Sequence, residues 1–179
     1  MPGQHSPLTW DPIAEAHRQW REHGWAEAAD GMAVVTSIMR AQQLMLGSVQ
    51  AILKPLGLSF ARYEMLRLLS FARDGSMPMA SASSRLQVHP TSVTNTVDRL
   101  ENDGLVERTA HPSDGRAVLV RVTDAGRASV DSATTLLNAK FFAAPGLEPQ
   151  DVTELVRILA KFRRDAGDFE DSVTPPEPL

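Results

Sequence analysis

The sequence predicts a mainly α-helical fold with a small β-hairpin wing, in which a winged helix-turn-helix lobe is flanked by N- and C-terminal helices. Three observations predict it. Apolar residues recur at helical spacing over most of the chain, and two short helical patterns are separated only by Gln87, Val88 and His89. Directly after Gly104 the period drops from 3.6 to 2, the mark of strands. At 179 residues, with 42% hydrophobic and 22% charged, the chain is long and apolar enough for one packed domain with elements fastened to it.

The elements follow in order. Residues 1–10 and 172–179 lack periodicity and read as loose ends. Residues 11–28 look helical, with Pro12 suited to a first turn and Gly24 an interruption. A long helix is expected over 32–53, where Val35, Ile38, Met39, Met45, Leu46, Val49, Ile52 and Leu53 form a broad apolar stripe that Pro55 and Gly57 end. Residues 11–56 would thus form an N-terminal helical region. Ser59 can cap a third helix through about 73, with Tyr63, Leu66 and Leu69 at helical spacing and Asp74-Gly75 as its stop.

Residues 79–86 form a short helix, and Pro90 opens a second that runs to about 103. Strands are expected over 105–108 and 117–122, with Val118, Val120 and Val122 on one face. His111, Pro112, Ser113, Asp114, Gly115 and Arg116 supply the turn chemistry of a hairpin tip between them. A hairpin placed directly after a helix-turn-helix is a wing, so residues 57–123 make the lobe. Helical spacing resumes over 123–142, Pro145-Gly146 breaks it, and a last amphipathic helix aligns Val152, Leu155, Val156, Leu159 and Phe162. Residues 124–171 would be the C-terminal helical region.

Net charge is −4, so no bulk positive field marks the chain as a nucleic-acid binder. The distribution says more. Residues 57–127 carry nine arginines and no lysine against eight acids, whereas 128–179 carry five basic and nine acidic side chains. Arginine is the cation suited to bidentate recognition of phosphates and guanine edges. In the helix opened by Pro90, Val93, Val97 and Leu100 define the buried side. Thr91 and Asn95 fall opposite it, flanked by Ser92, Asp98 and Arg99. Such short polar groups fit a major groove about 12 Å wide, and an arginine on a wing, here Arg116 with Asp114 to hold it extended, suits a narrow minor groove. The candidate DNA contacts are therefore Pro90, Thr91, Ser92, Asn95, Arg99, Asp114 and Arg116.

The run from about residue 32 to 162 resembles the MarR family of winged-helix transcription regulators. The resemblance is carried by Leu58-Ser59, Ser84-Arg85-Leu86-Gln87-Val88, Val97-Asp98-Arg99-Leu100-Glu101, Gly104-Leu105-Val106-Glu107-Arg108, Asp114-Gly115-Arg116 and Val122-Thr123-Asp124-Ala125-Gly126. It implies a homodimer reading successive major grooves of a pseudo-palindrome in double-stranded DNA, acting as a repressor. It also implies release by a small aromatic or anionic effector bound between dimer helices and lobe, for which Trp20, Arg40, Tyr63 and Arg67 are the candidates. The extra N-terminal helix resembles that of a urate-responsive branch, whose pattern Trp20 and Arg108 match and Glu64 and Thr96 do not.

Other classes find little support. With no cysteine there are no disulfides, no thiolate catalysis and no Cys-ligated zinc. Hydrolase, phosphate-loop, dinucleotide and zinc-protease motifs are missing, so no enzyme activity, cofactor or metal is expected. No run approaches 18 uncharged apolar residues and no secretory signal opens the chain, which predicts a cytoplasmic protein without a membrane partner. The rival reading is a winged-helix module that docks another protein without binding DNA.

Overall fold

The computed structural model describes residues 8–110 and 118–170, which divide between Ser48 and Val49 into two compact units. In the first, α1 (Pro12–Glu22) is opened by Asp11, whose carboxylate accepts the Ile13 N–H at 2.9 Å, with Pro12 in the first turn. The helix stops at Glu22 instead of running to 28, and α2 (Ala26–Leu53) starts six residues before the expected 32. Gly24, at φ +87°, makes the sharp corner between them. His17 Nε2 lies 2.7 Å from Asp30 Oδ1 and pins α1 to the first turns of α2. Val34, Val35, Ile38 and Met39 remain exposed on α2.

The last turn of α2 belongs to the second unit, where Val49 and Leu53 are buried. A 3-10 turn, Lys54–Leu56, follows and is closed by Gly57 at φ +69°. Ser59 caps α3 (Phe60–Phe71), accepting the Arg62 N–H at 3.3 Å, and Tyr63, Met65, Leu66 and Leu69 turn inward. Next comes a strand the periodicity did not announce, β1 (Ser76–Pro78), too short for alternation to show. Then α4 (Met79–Leu86), α5 (Pro90–Asn102), β2 (Val106–Ala110) and β3 (Val118–Val122) form the lobe. The antiparallel sheet runs β1-β3-β2, pairing Met77 with Val120 and Arg108 with Val120 from the other side. Of the predicted valine face, Val120 and Val122 are buried, while Val118 extends past the core into solvent.

Helix α6 (Asp124–Leu137) starts on a tightly specified junction. Thr123 Oγ1 accepts the Gly126 N–H at 3.0 Å and donates to the Gly104 carbonyl at 2.8 Å, tying the helix start to the end of the α5–β2 turn. The helix is regular only to Leu137; residues Asn138–Phe142 widen into a π turn, shown by the Ala143 N–H bonding Asn138 O at 3.0 Å. Finally, α7 (Pro149–Asp165) buries none of its residues. Arg163 and the Asp168 carbonyl reach the Gln87 side chain at 3.3 and 3.2 Å. The core gathers Leu53, Met65, Leu66, Leu69, Val93, Val97, Leu100, Val120, Val130 and Leu137, all less than 2% exposed. Each contributes about 1.5–3 kcal/mol by leaving water. Among the described residues no single helix is long and apolar enough to cross a membrane.

Candidate nucleic-acid interface

Helix α5 is locked on one side and open on the other. Val93, Val97 and Leu100 are buried against the core, while Thr91, Ser92, Asn95 and Arg99 are exposed, as their spacing predicts. Pro90 occupies the first turn, and the preceding His89 ring accepts the Thr91 N–H at 3.2 Å through Nδ1. Between α4 and α5 the chain reverses through Gln87 at φ +53°, the sole non-glycine with positive φ among the described residues. Thr91, Ser92, Asn95 and Arg99 make no side-chain hydrogen bond to other described residues, so their donors and acceptors are open to a partner. The structure therefore exposes Thr91, Ser92, Asn95 and Arg99 together on the side of α5 away from the core, with Pro90 in its first turn. Asp114 and Arg116 lie outside the described residues.

Two arginines that the spacing argument did not single out as interface residues hold the acids of α5. Arg108 on β2 binds both Asp98 and Glu101 through its guanidinium, and its backbone N–H donates to Glu101 Oε1 at 3.1 Å. Burial works against the charge on Arg108, but the bonds to Asp98 and Glu101 outweigh it and hold the guanidinium more firmly protonated than usual. Arg62 on α3 pairs with Asp103 at the end of α5 and donates to the Gly57 carbonyl at 2.8 Å. The signal was present: Asp98 and Glu101 are three apart, hence on one helix face, and Arg108 follows where the strand returns beside them.

A hollow of about 250 Å³ opens beside α3, lined by Phe60, Tyr63, Glu64, Arg67, Phe71 and Phe142, with Leu68 and Leu86. It brings together two of the four candidate effector residues. Tyr63 is buried, its hydroxyl 3.1 Å from Thr134 Oγ1. Arg67 is engaged: Nη2 donates to Thr134 Oγ1 at 2.7 Å, Asp131 Oδ1 at 2.8 Å and the Val130 carbonyl at 3.0 Å, and the guanidinium lies 5.4 Å from the Phe71 ring centre. Partial burial pushes the Glu64 carboxyl above the usual range. The other two candidates belong to the first unit. Trp20 meets Trp25 edge-on at 5.4 Å, and Arg40 is an exposed side chain 3.2 Å from Gln43 Oε1.

A helix-turn-helix followed by paired strands, with an open polar edge on the second helix, defines a winged-helix DNA-binding protein. The family model for MarR matches residues 58–118. The fold is similar to Sco5413, a MarR family transcriptional regulator from Streptomyces coelicolor, at 48% identity and a TM-score of 0.71 over 79% of this chain and 99% of that one. An uncharacterized HTH-type transcriptional regulator of Bacillus subtilis, YdgJ, is 30% identical over 117 residues, 64% of this chain and 69% of its own length. CouR from Rhodococcus jostii, solved bound to p-coumaroyl-CoA, is 27% identical with a TM-score of 0.62 over 72% of this chain and 90% of its own. The chain belongs to the MarR family of DNA-binding transcriptional regulators.

Proposed function

We propose that the chain works in the cytoplasm as a homodimeric repressor that lays α5 of each subunit into the major groove of a pseudo-palindromic duplex and leaves it when a small aromatic anion binds. The open edge of Thr91, Ser92, Asn95 and Arg99, on the helix that Pro90 opens, carries this reading. Asn95 pairs with adenine or Arg99 with guanine, the hydroxyls of Thr91 and Ser92 take bases or phosphates, and Arg116, held extended by Asp114, takes the minor groove. Residues 57–123 form the DNA lobe, and 11–56 and 124–171 supply the dimer helices. Exposed apolar side chains on α2 and α7 support the pairing, because a second copy gives them something to bury against.

The aromatic hollow supports the effector. A ring fits among Phe60, Phe71 and Phe142, and its carboxylate takes the place of Asp131 on Arg67. Asp131 is 69% exposed, so exchanging it for another carboxylate demands little. Loosening Arg67 from α6 then shifts the lobe. CouR with its aromatic acyl-CoA is consistent with such a ligand class.

The test is a footprint on the DNA flanking its own gene, repeated with benzoate- and cinnamate-type carboxylates. Two protected half-sites about 10 base pairs apart, lost on adding the acid, are expected. Asn95→Ala should alter sequence preference, and Arg116→Ala should cost roughly 1 to 3 kcal/mol of affinity. A single protected half-site refutes the dimer, and a footprint indifferent to every acid refutes the effector.

A further inference from the structure

Helix α5 is an acidic element assigned to a polyanion. Its charged side chains are Asp98, Arg99 and Glu101, with Asp103 capping its end. Both carboxylates inside the helix converge on Arg108, whose side chain is 26% exposed against 50% for Asp98 and 38% for Glu101. A guanidinium contacting two carboxylates lowers the negative potential that phosphates would otherwise meet. Partly exposed charges near a duplex act across roughly a Debye length, about 10 Å at 0.1 M salt.

We infer that Arg108 is a positioning residue that acts as the counter-charge for Asp98 and Glu101, making an acidic recognition helix compatible with a phosphate backbone. The inference rests on α5 being the groove helix. Its content is electrostatic, and substitution separates charge from the guanidinium bonds. The Arg108–Asp98–Glu101 cluster carries a net charge of −1. Asp98→Asn with Glu101→Gln removes both negative charges, while each amide oxygen can still accept one guanidinium bond; the Arg108 backbone N–H, which Glu101 Oε1 accepts, loses its acceptor in the double and the triple variant alike. Arg108→Met removes charge and bonds together. All three changes combined give a neutral cluster with no guanidinium bonds at all.

Duplex affinity of the full chain, measured at about 50 mM salt where phosphate electrostatics are strong, should follow charge. Arg108→Met should bind about tenfold more weakly than the parent, the triple variant at least as tightly as the parent, and Asp98→Asn/Glu101→Gln about tenfold more tightly. These gaps should narrow as salt rises, while melting temperatures order differently because both Arg108→Met forms lack the bonds. If the triple variant is as weak as Arg108→Met, or the double variant is no tighter than the parent, the counter-charge role is overturned. Should Arg108→Met fail to fold, the double variant alone decides. A different failure is recognisable: if Asn95→Ala and every member of the series bind like the parent, α5 does not face the duplex and the groove assignment itself falls.

Discussion

The Tyr63 hydroxyl lies 3.1 Å from Oγ1 of Thr134, so a phenol on α3 and an alcohol on α6 meet across a seam otherwise filled by Leu66, Val130 and Leu137. Thr134 also receives Arg67 Nη2 at 2.7 Å and donates to the Val130 carbonyl at 2.8 Å. One small hydroxyl therefore satisfies two long side chains. Thr134→Val keeps the shape and strips the acceptor, leaving Tyr63 and Arg67 short of a partner. It should lower unfolding free energy by about 1–3 kcal/mol, against about 0.5–1.5 for Tyr63→Phe, which removes one neutral bond. Urea melts of the two variants read this ordering directly, and equal, negligible losses would mean that packing alone closes the seam.

Among the described glycines, Gly126 is the one where an added Cβ would meet backbone most closely. A Cβ there would stand 2.1 Å from the Leu105 carbonyl oxygen and 2.9 Å from a Val122 methyl, and the first obstacle is backbone that has nowhere to move. Gly104, by contrast, has nothing within 4 Å, and only its φ of +69° resists a side chain. Gly126→Ala should therefore destabilise by about 3 kcal/mol or more, through overpacking, and Gly104→Ala by about 1 kcal/mol, through strain. Thermal melts in which the two alanine variants match would refute the close-approach account.

Glycine shows why some of this architecture was legible in the sequence and some was not. Gly104 announced itself as a helix stop, and Thr123 with Gly126 formed part of a recognisable motif, but only the coordinates reveal that Leu105 O leaves no room for a methyl. Periodicity located α4 and placed the buried and open edges of α5 residue by residue, because burial on one helix face repeats every 3.6 residues. It set the start of α2 six residues late, since Ala26, Ala28 and Ala29 give a weak apolar signal beside Gly24. The strand Ser76–Pro78 escaped notice because its pairing with β3 is a long-range event with no local period. For the same reason the resemblance that offered Arg67 as an effector residue said nothing of its partners, and only the fold shows it engaged with Thr134 and Asp131.

Glu15 gives α1 a dependence on acid. Its carboxylate accepts Arg18 Nη2 at 2.6 Å and Nε at 2.9 Å, and Gln19 Nε2 at 2.8 Å. These bonds, Arg18 first, hold its pKa down to about 2, below the ordinary 4.5. A carboxyl whose folded pKa is depressed adds stability above its unfolded pKa and loses it as pH falls through the folded one. The contribution of Glu15 is thus complete above about 4.5 and gone below about 2. Carbon NMR of the side-chain carboxyl should titrate near the lower value, and α1 amide signals should broaden or shift within that window in the parent but not in Glu15→Gln. A midpoint at 4.5 would show that the Arg18 bonds are not populated in solution.

Helix α7 offers the sharpest separation between folding and assembly. Val156 and Phe162 are 62% and 65% exposed, with Leu155 and Ile158 beside them, and no residue of the helix is buried. Placing a carboxylate on such positions changes little in an isolated subunit, where exposed substitutions are worth about half a kcal/mol or less. Across a subunit interface the same carboxylate would lie in an apolar contact and cost several kcal/mol by desolvation. Val156→Asp with Phe162→Asp should therefore leave the melting temperature of the lobe near that of the parent while sedimentation reports a monomer. Duplex affinity should then fall steeply, since two tethered lobes hold a palindrome far more tightly than one. A variant that stays dimeric and keeps its affinity would remove α7 from the interface.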